Sequence, residues 1–109
     1  LFIKDFCALI IQQIRNFKTF ENNVFCVGGG IKNATNLKNL TAYCNKITGN
    51  KIKIKKNLHT SIYDIPYYVT SLRKLKKFCN WEPKISLYQG LSEIYFWMVK
   101  NKKKIRNYF

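Results

Sequence analysis

The chain has 109 residues, 47% of them hydrophobic and 16% aromatic. That excludes an intrinsically disordered tail, because it supplies the apolar area that offsets the entropy of ordering. Twenty Lys and Arg face five Asp and Glu, for a formal net charge of +15, and so few acids nearly exclude chemistry built on paired carboxylates. The longest unbroken apolar run, residues 6–11, is far short of the roughly 20 residues that span a bilayer. No secretory leader is visible, so a cytoplasmic location without membrane contact is expected. Most of the charge excess is Lys beside many Asn and Ile, a bias expected of a solvated surface; nucleic acid is not the expected partner.

Asp5 stands ready to cap a helix whose apolar positions Phe6, Leu9, Ile10, Ile14 and Phe17 are nearly continuous, so a largely buried helix to about Phe17 is expected. Val24, Phe25, Cys26 and Val27 then form a short apolar run stopped by Gly28, Gly29 and Gly30. Such a run reads as a strand buried on both faces of a parallel sheet. Thr35 is placed to cap a second helix with Leu37, Leu40, Cys44 and Ile47 on one face and Gly49 as its left-handed stop. Residues 51–55 alternate Lys and Ile, the pattern of a strand exposed on one side.

Residues 57–66 show no periodicity and read as a loop, and Tyr67, Tyr68 and Val69 suffice for a short strand. Ser71 opens a short helix with Leu72, Leu75 and Cys79 inward, and Leu87, Leu91, Ile94, Tyr95 and Met98 form the inner stripe of a last helix running into the Lys cluster of 100–104. Cations at a helix C-terminus are favoured by its dipole and need no ligand. Trp81 and Pro83 read as a packing anchor and a turn. Cys7, Cys26, Cys44 and Cys79 lack CxxC spacing and are expected to be buried free thiols. His59, the only histidine, has no second ligand nearby, so no metal is expected. The order of elements makes the fold class α/β.

The run from Phe25 through Gly28, Gly29, Gly30 and Asn33 to Leu37, with Leu40 and Thr41, resembles the late N-V-G-G-G-x-x-N-x-x-S-L-x-E-L segment of extended short-chain dehydrogenase/reductases. Asp64, Ser71, Lys74, and then Trp81 and Pro83, resemble that family's R-x-x-D, D, K and G-W-x-P ending. The likeness is closest to CDP-paratose and CDP-tyvelose 2-epimerases and extends to other NAD-dependent nucleotide-sugar epimerases and dehydratases. It implies a C-terminal, substrate-side portion of an extended Rossmann-type enzyme with an incomplete sheet. Its last Rossmann strand would lie near 24–28, followed by a substrate-binding subdomain.

The family's GxxGxxG turn and YxxxK pair, which bind NAD and move the proton, have no counterpart here. By the resemblance the isolated chain has no catalytic or cofactor-binding residue, and NAD belongs to an upstream or separate half. The substrate-side residues it implies are Asp64, in place of the Asp that accepts from ribose hydroxyls, and Ser61, where the diphosphate-gripping Arg stands. Ser61 cannot neutralise a diphosphate, which leaves His59, Lys55 or Lys56 to reach in, and Asp64 reads equally as a loop cap. Phe2 and Lys4 replace a His and an Asp of the family's L-H-V-D-D-L-C segment, and Ser71 replaces an Asp. Two other readings stay open: a small basic nucleic-acid-binding module with Tyr63, Tyr67 and Tyr68 for stacking, and a nonfunctional remnant.

Overall fold

The structure, a computed structural model, describes residues 1–55 and 61–106. It divides into one unit of Leu1–Ala34 with Val69–Phe109 and a second of Thr35–Tyr68. In the first unit, helix α1 (Ile3–Arg15) runs into a single turn, α2 (Phe17–Phe20). A 3-10 turn at Ile31–Asn33 follows the glycines, and α4 (Arg73–Cys79), α5 (Leu87–Lys100) and α6 (Lys102–Ile105) complete the unit. The second unit holds α3 (Leu37–Thr48).

Asp5 is not the cap of α1. The N-cap is Phe2, which makes no side-chain cap bond. Asp5 lies in the first helical turn, where a carboxylate suits the dipole. It is only 6% exposed, and its Oδ2 accepts from the Ile85 N–H at 2.9 Å. Its acceptor thus serves the distant segment leading into α5. That helix starts at a full capping box: Ser86 accepts from the Gln89 N–H, and the Gln89 side chain accepts from the Ser86 N–H. Phe2 packs on the α5 backbone at Gly90, where an added Cβ would come within 2.7 Å of the phenyl ring.

The core of this unit is Leu9, Leu75 and Trp81, with Phe25, Val27, Leu72 and Cys79 packed around it. Trp81 is the anchor its sequence position implied. Beside it Phe20, Phe25 and Phe78 form a tilted and edge-to-face trio with ring centroids 5.0 to 5.8 Å apart. Lys74 closes this cluster: its Nζ donates to the Val24 carbonyl at 2.9 Å and sits 4.9 Å from the Phe25 ring centroid. Gln12 Nε2 donates to the Cys79 carbonyl and ties α1 to α4.

Burial of α1 falls short of the expectation. Leu9 is fully enclosed, but Ile3, Ile11, Ile14 and Phe17 are between 48% and 70% exposed. The last turns of α5 behave alike, with Phe96 and Trp97 at 68% and 60%. The cysteines depart from expectation for the same reason: Cys7 and Cys26 are exposed, and Cys44 and Cys79 are half-buried. Their apolar faces outrun the surface this chain supplies to cover them. The accessible surface is 10030 Å² for 12.9 kDa. A compact protein of that mass exposes roughly 6,300 Å², or roughly 7,500 Å² as two separate compact bodies of these sizes.

Among the described residues there is no strand. The segments expected as strands, 24–27, 51–55 and 67–69, carry no ladder, because a ladder needs a second backbone alongside. At Gly28 the segment passes close to Thr70, whose Cβ would lie 2.6 Å from an added Cβ. In the second unit, Asn45 of α3 takes the role of a neighbouring strand for one residue, its Oδ1 accepting from the Ile52 N–H and its Nδ2 donating to the Ile52 carbonyl, both at 3.4 Å. Ile52 and Ile54 stay exposed. The cap of α3 is Asn36, not Thr35, its Oδ1 accepting from the Asn39 N–H at 2.8 Å. Gly49 stops the helix at φ 71° as its position implied. The loop expected at 57–66 lies partly outside the described residues.

Replacing Asp5 by Ala leaves the part-buried Ile85 N–H without its acceptor, and Asp5→Ala is expected to destabilise the chain by about 1–3 kcal/mol, read by urea unfolding. Asp5→Asn keeps an acceptor at that position and is expected to recover part of the loss. Equal losses for the two variants would show that charge, not the hydrogen bond, is what matters there.

Candidate functional site

The two described residues that the family resemblance singled out, Ser61 and Asp64, come together in one tight turn of the second unit. The Asp64 N–H donates to the Ser61 carbonyl at 3.1 Å, and the Ser61 N–H donates to Asp64 Oδ2 at 3.2 Å. Ser61 Oγ accepts from the Tyr63 N–H at 3.2 Å. One carboxylate oxygen is therefore engaged locally, reaching back three residues as the acid of a capping box does, while Ser61 makes a serine turn, and both residues are exposed. Among the described residues the second oxygen has no hydrogen-bond partner. His59 and Lys56 lie outside the described residues, and Lys55 is exposed.

A second concavity lies wholly within the first unit. It encloses about 480 Å³ between the glycine segment, the residues leading into α4 and the Glu82, Pro83 corner, a size that takes small ligands. Gly30 has φ 67° and lies with its Cα face against Leu72, so a side chain here would be strained and crowded. Asn33 holds the segment from two sides: its Nδ2 donates to the Gly29 carbonyl at 3.1 Å and its Oδ1 accepts from the Leu87 N–H at 2.7 Å. The Arg73 and Lys32 side chains line the opening. Sequence reasoning gave neither a role in a site, since Arg73 read as one of the outward charges of its helix and Lys32 as part of the segment after the glycines; only their position around the cleft distinguishes them.

Glu82 lines the same cleft. Its Oε2 accepts from Lys76 Nζ at 2.9 Å. That bond, the Lys76 charge and the more distant Lys32 hold its carboxyl below the usual carboxylate range. Among the described residues no group of His, Cys, Asp and Glu is arranged to hold a metal ion. The glycines do not fit the pyrophosphate turn of a dinucleotide cofactor. Gly28 is closed off by Thr70, and Gly30 opens only a three-residue 3-10 turn, whereas that turn needs the N-terminus of a full helix.

The chain is 28% identical over 102 residues to the CDP-paratose 2-epimerase of Salmonella typhi, covering 89% of this chain and 28% of that protein. It is 28% identical over 94 residues to the UDP-glucuronate 4-epimerase of Thermodesulfobacterium geofontis, covering 86% of this chain and again 28% of the relative. These likenesses support a relationship to the epimerase family. The chain spans little more than a quarter of the length of these curated relatives. No protein-family model and no solved structure matches it. Among the described residues no helix is long and apolar enough to cross a membrane.

The Glu82 carboxyl is expected to titrate below an ordinary glutamate, and Lys76→Ala to raise its midpoint toward the ordinary value, followed by carboxyl chemical shift against pH. Because the folded-state value is lowered, whatever stability the pair contributes is present above the unfolded glutamate's range and fades as pH falls through the folded midpoint. The pair is exposed, so the effect on unfolding is expected to be small. An unchanged midpoint in Lys76→Ala would refute the pairing.

Proposed function

We propose that the chain is the substrate-side portion of an NAD-dependent nucleotide-sugar epimerase or dehydratase, closest to the CDP-sugar 2-epimerases. The observation that carries this reading is the likeness to two epimerases of nucleotide sugars over nearly nine tenths of the chain. In the whole enzyme the fold is α/β. Residues 24–27, apolar on both faces and without a ladder here, take the place of a strand inside an extended Rossmann-type sheet. The exposed apolar faces of α1 and of the end of α5 support the same reading, since a helix apolar around most of its surface belongs inside a larger body.

In this arrangement the turn at Ser61 and Asp64 faces the nucleotide sugar. The free Asp64 oxygen accepts from ribose hydroxyls, and Ser61 contributes no charge where relatives of this type carry Arg, so a neighbouring cation, His59 among them, takes up the diphosphate. NAD and the residues that move hydride and proton belong to the rest of the enzyme, and the isolated chain is inactive.

The test is made on the native product. Antibody raised against this chain recovers the protein from its source cells, and peptide mapping reads what is joined to it or co-purifies with it. Peptides carrying a GxxGxxG turn and a YxxxK pair, together with epimerase activity on a nucleotide sugar, are the expected result. A native product confined to these residues, with no such partner and no change of its Asp64 resonances on adding CDP- or UDP-sugars, would overturn the reading.

A further inference from the structure

The cleft of the first unit has an uneven distribution of hydrogen-bonding groups. Three of its acceptors are taken: the Gly29 carbonyl by Asn33 Nδ2, the Gly30 carbonyl by the Asn33 N–H at 3.2 Å, and Glu82 Oε2 by Lys76. Its charged donors are not. Among the described residues the Arg73 guanidinium has no hydrogen-bond or ion-pair partner, and Lys32 meets Glu82 only as a more distant charge. The Ser71 hydroxyl accepts from the Arg73 N–H at 3.4 Å and keeps its own proton to donate.

Two cations without a partner of their own and a hydroxyl proton, around about 480 Å³ beside glycine carbonyls that are already engaged, favour an anion. A guanidinium favours a planar or tetrahedral oxyanion that it can hold through two parallel bonds. We propose that this cleft binds a small phosphoryl oxyanion, of the size of pyrophosphate or a sugar phosphate, with Arg73 and Lys32 as its charged donors and Ser71 as a neutral one. Glu82 is the opposing charge. It weakens the binding of any anion, the more so the higher the anion's charge, and its pairing with Lys76 offsets part of that cost. The site lies in the first unit alone and does not depend on the reading of the Ser61 and Asp64 turn.

A chain of +15 attracts every anion, so the experiment must separate this cleft from the general field. The full chain is titrated with pyrophosphate by calorimetry, with backbone amide resonances recorded alongside. Arg73→Ala with Lys32→Ala is expected to weaken binding by about tenfold or more. Lys102→Ala with Lys103→Ala, which removes the same charge outside the cleft, is expected to change it by less than about twofold at moderate salt. Glu82→Gln is expected to tighten it severalfold, and the shifted amides are expected to be those of Gly29, Gly30 and Ser71. Circular dichroism checks that each variant folds; should the double cleft variant unfold, Glu82→Gln and the amide map decide alone. Equal weakening by both double variants, no gain in Glu82→Gln, or amide shifts scattered away from the glycine bend would overturn the proposal. A nucleoside diphosphate arm reports whether the phosphoryl group is recognised as part of a nucleotide. Preferential capture of single-stranded DNA through the same amides would reassign the cleft to a macromolecular phosphate and overturn the small-ligand assignment.

Discussion

Two side-chain acceptors settle where α5 begins. Asp5 Oδ2 takes the Ile85 N–H and Asn33 Oδ1 takes the Leu87 N–H, on either side of the Ser86 cap. Without them, backbone donors at the start of a half-buried helix would go unsatisfied, a cost that a core as small as Leu9, Leu75 and Trp81 is poorly placed to absorb. These two bonds tie the first helix and the glycine bend to the start of α5, so the placement of α1, of the glycine bend and of α5 is one linked problem. Phe2 on Gly90 adds the steric half of the same junction.

The glycine bend inherits its shape from that junction. Asn33 reaches back to the Gly29 carbonyl while it holds α5, and Gly28 approaches Thr70 too closely for any side chain. The approach of the two segments, with Lys74 pinned to the Val24 carbonyl, opens the cleft beyond their ends. Cationic groups then face it because α4 starts beside it with Arg73, and because the 3-10 turn carries Lys32.

The apolar faces left open on α1 and α5 are the other consequence of a small core. Ile3, Ile11, Ile14, Phe96 and Trp97 are apolar and yet all about half exposed or more. Under the function proposed above, the partners for these faces, and the strand neighbours for residues 24–27, would come from the remainder of an enzyme more than three times as long.

Periodicity alone located α1, α3, α4 and α5, and the left-handed stop at Gly49, since helix-forming contacts repeat within a few residues and leave their mark in local spacing. Trp81 as an anchor was legible on similar local grounds, and so was Asp64 as a loop cap. The caps were not: Asp5 and Thr35 sit near the right places, but which oxygen meets which N–H depends on φ and ψ at single residues and, for Asp5, on a donor eighty positions away. Strand pairing, thiol burial and the cleft of Arg73 and Lys32 were likewise decided only in three dimensions. Each requires one segment to meet another far along the chain, and the pattern of a segment records which face is apolar without recording what will cover it.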